Sequence, residues 1–418
     1  MMRFRLRFKN IPFYAALSAV FAALLAFPPT GSPQTISPAA PASRTETGLD
    51  LFIALNSEPL HGKRIGLVTN QTGVDFRGER TSAFFPNLNG GKLVALFSPE
   101  HGLSGSADAP VANSTDATTG VPVYSLYGDT RRPTDAMLKG IDVLVFDIQD
   151  AGVRFYTYVT TMAYCMETAA KHHIPFIVFD RPDPLGGEVI EGPMLDPDHT
   201  SFTAYFPIPV RYGMTMGELA KMFNAENKID ADLRVFHLRG WRRNEAYDQT
   251  GLPWIPPSPN LRTVNAAFLY PGLEILQAGG VSVGRGTDAP FEIVGAPWIR
   301  ADDLATVLTR RKIPGVSFAV AQFTPTRDLY AGTACQGVTI SVTDRSVFQS
   351  MRLGLEVADA LNKMYPGQFK LGKIIELLGS QSTLDRLQRG DAPADIVAGW
   401  TAELDRFRAM RAKYLLYD

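Results

Sequence analysis

Beyond residue 45 the chain alternates short, unbroken apolar runs with stretches of helical spacing. The runs Arg64 to Thr69, Lys92 to Phe97, Ile141 to Asp147, Pro175 to Phe179 and Leu233 to Leu238 are rich in Val, Ile, Leu and Phe and lack clean polar/apolar alternation. Strands of this kind are covered on both faces, so the runs predict a parallel sheet between helical layers. Tyr158 to His172 and Thr215 to Asn227 carry helical spacing, the second opening on Thr215 with Glu218 three residues later, the signature of a capping box. The first large unit, residues 46–264, is therefore expected to be an α/β domain with a Rossmann-like, doubly wound, mostly parallel sheet.

A Pro-rich passage, Ile255-Pro256-Pro257-Ser258-Pro259-Asn260-Leu261, cannot continue a helix and either joins two domains or lines a cleft. Residues 265–418 then carry helical patterns at Leu273 to Ala278, Asp302 to Arg311, Ser346 to Met364 and Ala394 to Lys413. The strand patterns there are Val316 to Phe323 and Gly337 to Val342. Fewer strands and more helices predict a smaller α+β C-terminal domain that closes a cleft with the first.

Residues 1–45 are different in kind. Arg3, Arg5, Arg7 and Lys9 precede the uncharged stretch Ile11 to Phe27, and Pro28 to Ser43 reads as a tether with Ala40-Pro41-Ala42 as a candidate cleavage site. This is the pattern of an export signal. The apolar stretch is short for a membrane span, which favours cleavage or a loose anchor over a transmembrane helix. A periplasmic or extracellular location follows as an expectation, with a membrane tether as the variant in which the segment stays uncleaved.

Composition excludes several function classes. With 41 Lys and Arg against 42 Asp and Glu, no global field draws the chain to nucleic acid or acidic lipid. The two cysteines, Cys165 and Cys335, show no metal-ligand spacing and read as small buried residues, with a disulfide as the alternative. No G-x-S-x-G elbow is present. Gly284-Arg285-Gly286-Thr287-Asp288-Ala289 matches a dinucleotide fingerprint only weakly, since Pro290 and Phe291 interrupt the helix that should follow. No nucleotide cofactor is expected.

The chemistry collects at strand ends. Asn70-Gln71 follows the first strand, Ser98-Pro99-Glu100-His101-Gly102 the second, Asp147 to Arg154 the third and Asp180-Arg181-Pro182-Asp183 the fourth. Open α/β sheets bind ligands at that edge. A metal reading would use His101, Asp147 and Asp150. A glycosidase reading would use paired carboxyls, one to protonate the leaving oxygen and one ionised. Glu100 is the first candidate for it and Glu191, in Glu188-Val189-Ile190-Glu191-Gly192-Pro193, the second, each with a structural ion pair as the competing role. Tyr156, Tyr158 and Tyr212 suit either sugar stacking or a half-buried core.

Six ordered blocks carry a family resemblance: L-V-T-N-Q-T-G at 67–73, F-S-P-E-H-G at 97–102, F-D-I-Q-D-A-G-V-R-F-Y-T-Y at 146–158, D-R-P-D-P-L-G-G at 180–187, E-G-P at 191–193 and P-S-P-N-L at 257–261. With Y-P-G-L-E at 270–274 and G-R-G-T-D-x-P-F-E at 284–292, the chain resembles the exo-β-N-acetylmuramidase family, long catalogued as a domain of unknown function, from about residue 49 to the end. The resemblance implies release of N-acetylmuramic acid from non-reducing ends of peptidoglycan-derived muro-oligosaccharides, in a site between the two domains, without metal or nucleotide. It places Glu100, with His101 beside it, at the catalytic position and Glu191 second. Asn70, Asp147, Asp150, Arg154, Tyr156, Asp180, Arg181, Asn260, Arg285 and Asp288 are the expected substrate-binding residues. Muramic acid carries a lactyl carboxylate, so a buried cation is expected in the site. Arg154 and Arg285 are the candidates, with ion pairs to Asp150 and Asp288 as their competing roles.

Overall fold

Each expected parallel strand forms, because its side chains have an apolar layer on either side. In a computed structural model, residues 44–418 are described except 56–57, 86–89 and 108. The N-terminal basic and apolar segment and its tether lie outside the described residues. Strands β1 (Arg64–Thr69), β2 (Lys92–Ser98), β3 (Ser114–Thr115), β4 (Pro122–Ser125), β5 (Val143–Asp147) and β6 (Phe176–Phe179) lie in the first part of the chain. They are followed by β7 (Glu191–Met194), β8 (Pro209–Arg211) and β9 (Leu233–Phe236). The main sheet has the order β3-β4-β2-β1-β5-β6-β9. All its pairings are parallel except β3 with β4.

Disregarding β3, the strands run outward from β1 to β2 and β4 on one side and to β5, β6 and β9 on the other. That is the doubly wound order, with its switch point between β1 and β5. Alternate strand residues feed two apolar layers. Val68, Phe97, Leu144 and Phe146 join the larger cluster with the helices Thr157–Lys171 and Met216–Glu226. Ile65, Leu67, Val143 and Val145 join the smaller one, closed by Leu49 and Phe52 of the helix Gly48–Ala54. The Thr215 and Glu218 capping box forms as expected.

The C-terminal part is an antiparallel sheet of β10 (Ile293–Ala296), β11 (Val316–Phe323) and β12 (Cys335–Val342), in the order β10-β12-β11, flanked by helices. Several boundaries depart from expectation. Helix Val264–Gln277 begins well before Leu273 and runs through Pro271, with Thr263 accepting a hydrogen bond from Ala266 as its N-cap. The expected helix Ala394 to Lys413 divides at Gly399 and Trp400 into Pro393–Ala398 and Thr401–Arg411.

Helix Val264–Gln277 seats closely on helix Ser350–Met364. A Cβ at Gly272 would lie 1.9 Å from the Ser350 carbonyl oxygen, and one at Gly354 2.2 Å from that of Gly272. Only glycine admits such an approach. The two parts share the larger apolar cluster, in which Met351 and Leu355 join residues of the main sheet. Cys165 and Cys335 are buried free thiols. Among the described residues no helix is long and apolar enough to cross a membrane.

Candidate active site

Strand β2 ends in a tight reversal in which His101 and Gly102 both have left-handed φ, 70° and 74°. The reversal carries Glu100 to the first turn of helix Thr157–Lys171, where Thr157 donates its hydroxyl to Glu100 Oε2 at 2.7 Å. The N-cap residue, Tyr156, supplies no side-chain cap. A carboxylate at that end therefore meets the positive end of the helix dipole. Tyr158 donates to the carbonyl of Pro257 at 2.7 Å and to that of Glu100 at 3.4 Å, so the Pro-rich passage is tied to the same strand end. Burial, and then hydrogen bonding to Glu100, push the Tyr127 hydroxyl up to about 12.

Helix Val264–Gln277 supplies another wall. Tyr270 and Glu274 sit one turn apart on it, and both line a cavity of about 310 Å³ with Glu100, His101, Tyr127, Arg131, Tyr156 and Arg285. Arg285 donates to Glu274 Oε1 at 2.5 Å, while Glu274 Oε2 is buried without a hydrogen-bond partner. Burial raises the Glu274 carboxyl above its ordinary range, Arg285 offsets part of that rise, and the charge of Glu100 adds to it. Phe155, Tyr156, Tyr270 and Phe291 form an edge-to-face aromatic chain, with centroids 4.8 to 5.9 Å apart. The arrangement offers two carboxyl groups from separate halves of the chain, in different environments, beside an aromatic surface.

Comparison with known proteins decides the family. The model described as "Exo-beta-N-acetylmuramidase NamZ, N-terminal" matches residues 65–265, and its C-terminal counterpart matches residues 268–417. The chain belongs to the NamZ exo-β-N-acetylmuramidase family. A Bacillus subtilis relative, "Peptidoglycan beta-N-acetylmuramidase NamZ", is 43% identical over 393 residues, covering 93% of this chain and 95% of that protein. Two crystal structures of DUF1343 family proteins from Bacteroides fragilis share the fold. One has a TM-score of 0.83 at 38% identity, covering 90% of this chain and all of that one. The other has 0.73 at 30%, covering 90% and 99%.

In this NamZ-family chain, Glu100, His101, Tyr156 and Arg285 come together in the cavity. The other expected site residues do not line it. Glu191 is buried on β7, receiving Arg211 at 2.8 Å and the Met351 backbone N–H at 3.1 Å. It joins the two parts of the chain, so the second carboxyl of the cavity is Glu274. Arg154, expected as an anion-binding cation, lies away from the cavity, its guanidinium donating to the carbonyls of Pro193, Ile208, Leu377 and Leu378. Nor does it pair with Asp150, whose Oδ2 instead accepts from Tyr212 and from the Gly152 N–H. Tyr212 is thereby fully buried.

Asp147 is held by Arg181 at 2.6 and 3.0 Å and by the Thr81 hydroxyl. Asp180 accepts from Thr215, Gly217, Arg181 and Tyr417, which fastens a helix start and the C-terminal tail to β6. Asn70 accepts from Thr72 within its own turn, and Asn260 lies buried against Arg327 at 3.5 Å. Asp288 projects into solvent 3.6 Å from Arg262, not against Arg285. Among the described residues, no three His, Cys, Asp or Glu side chains form a set able to hold a metal ion, and His101 directs Nδ1 to the Ala107 carbonyl at 2.6 Å. Of the charged residues lining the cavity, Glu274 and Arg131 escaped the sequence reading. The signal for Glu274 was a lone acid in an otherwise apolar helix, four residues after Tyr270.

Proposed function

We propose that this chain is an exo-acting β-N-acetylmuramidase that removes non-reducing terminal N-acetylmuramic acid from peptidoglycan fragments in cell-wall turnover, with Glu100 and Glu274 as its catalytic carboxyls. The observation that carries the reading is that Glu100 and Glu274, from separate halves of the chain, reach one 310 Å³ cavity. Glu100 accepts the Thr157 hydroxyl hydrogen bond at a helix N-terminus, which holds its carboxyl group toward the cavity. Burial raises the Glu274 carboxyl against the opposing pull of Arg285, and Glu274 is assigned the proton-carrying role.

In the reaction, Glu274 donates a proton to the departing glycosidic oxygen. The Glu100 carboxylate steadies the positive anomeric carbon and accepts the proton of the incoming water. Arg285 holds Glu274 in place, and the aromatic chain of Phe155, Tyr156 and Tyr270 packs against the sugar face. His101 shapes the Glu100 turn. No cofactor is required for these steps.

Leaving-group dependence tests this division. A nitrophenolate departs without a proton, whereas a sugar alkoxide needs one. Glu274→Gln should therefore lose about 10²–10⁴-fold in kcat on a muramic-acid-terminated disaccharide and far less on nitrophenyl β-N-acetylmuramide. Glu100→Gln should lose activity on both. Binding of muramyl ligands by the wild type with no turnover of either substrate would make the chain a muropeptide-binding module instead. Chelator-sensitive turnover would restore the metal reading. The substrate class and the Arg- and Lys-flanked apolar N-terminal segment together support export to the periplasm or beyond; detection of the protein in the cytoplasmic fraction alone would refute that.

A further inference from the structure

The lactyl carboxylate of muramic acid needs a cation, and the structure withdraws Arg154 from that task. Two arginines line the cavity, Arg131 and Arg285. Arg285 is committed to Glu274 and lies 4.0 Å from Asp328. The Arg131 side chain makes no ion pair among the described residues. Its guanidinium lies over the Phe202 ring, 4.2 Å from the centroid, and faces the Tyr127 ring at 5.8 Å.

Arg131 is exposed, not the buried cation expected from the sequence; its contact with Phe202 restrains the long side chain at the cavity rim and leaves its guanidinium N–H groups without a hydrogen bond among the described residues. Those groups form a fork that matches a carboxylate. Tyr127 also contacts Glu100, so the guanidinium stands one aromatic side chain away from the proposed site of bond cleavage. The lactyl ether is two ring carbons from the anomeric centre, which makes that separation a suitable one. Ser201 and Thr203, flanking Phe202 at the cavity wall, bond to each other at 3.1 Å and leave one hydroxyl proton for the same rim.

We propose that Arg131, held by Phe202, binds the lactyl carboxylate and is the residue by which the cavity tells N-acetylmuramic acid from N-acetylglucosamine. The inference rests on the muramidase reading for its ligand. The lactyl amide of N-acetylmuramic acid is nearly the same shape without the charge, so it isolates the interaction. By calorimetry, Arg131→Ala should weaken binding of N-acetylmuramic acid about 10- to 100-fold while changing binding of the amide and of N-acetylglucosamine less than about 3-fold. Arg131→Lys should fall between, keeping charge and losing the fork. Phe202→Ala should show a smaller loss of the same acid-selective kind.

Equal losses for acid and amide in Arg131→Ala, or no loss for either, would overturn the assignment. So would a wild type that binds acid and amide alike. The muramidase reading fails separately: a wild type that prefers the acid yet turns over no β-muramide keeps the carboxylate site and loses the enzyme.

Discussion

Two hollows at the carboxyl edge of the main sheet have opposite characters. One is the crevice beside the β1/β5 switch point, lined by Thr72, Gln149 and Arg181, with a volume of only about 10 Å³. The other is the 310 Å³ cavity reached from the end of β2. Doubly wound sheets commonly bind ligands at the switch point. Here that place is filled from within: Asp147 closes on Arg181 and Thr81, and Gln149 donates to the carbonyls of Asp150 and Pro182. The charges there answer one another, while Gln149 Oε1 stays buried without a partner. Those of the cavity leave capacity unused, as Glu274 Oε2 and the Arg131 guanidinium do. A strand-end charge that a buried partner neutralises has nothing left for a ligand.

Substitution in each hollow should separate chemistry from stability. Glu100→Gln should lower turnover of a nitrophenyl β-muramide about 10²–10⁴-fold with little change in thermal midpoint. Asp147→Asn should do the reverse, costing about 3–5 kcal/mol of unfolding free energy by leaving Arg181 buried without its counter-charge. The folded fraction should keep its kcat. Glu191→Gln belongs with Asp147, losing stability through Arg211 and retaining kcat. An inactive, fully folded Glu191→Gln would return that residue to the catalytic pair.

A smaller effect comes from the aspartates behind the switch point. Burial pushes Asp150 up to about 6 and Asp180 and Asp183 up to about 7. Because these folded-state values exceed the unfolded value of about 4, the native state holds more protons across that window. Stability should therefore fall as pH rises from about 4 to 7, each group contributing on the order of 3–4 kcal/mol. Asp150→Asn should flatten part of that slope in urea midpoints measured against pH; an unchanged slope would show that Asp150 titrates normally.

The same distinction governs what was legible in the chain. Strands β1, β2, β5, β6 and β9 could be read because their continuous apolar runs report burial on both faces. Strands β7 and β8 could not: Glu191-Gly192-Pro193-Met194 and Pro209-Val210-Arg211 are too short and too rich in breakers to signal pairing. Glu100 was legible as an acid at a strand end. So was Asp147, and nothing local says that Arg181, 34 residues away, neutralises one and not the other. Glu274 was hidden inside an apolar helix whose Pro271 and Gly272 obscured its start. Arg131 sits in Gly128-Asp129-Thr130-Arg131-Arg132-Pro133, which reads as ordinary surface until Phe202 is folded against it.

The most direct measurement is a crystal structure of the Glu100→Gln protein soaked with a muramic-acid-terminated disaccharide. The terminal sugar is expected in the 310 Å³ cavity, its anomeric carbon flanked by residue 100 and Glu274, and its lactyl carboxylate on Arg131. Sugar bound instead beside Gln149 and Arg181 at the switch point, or against Glu191 and Arg211, would contradict that placement.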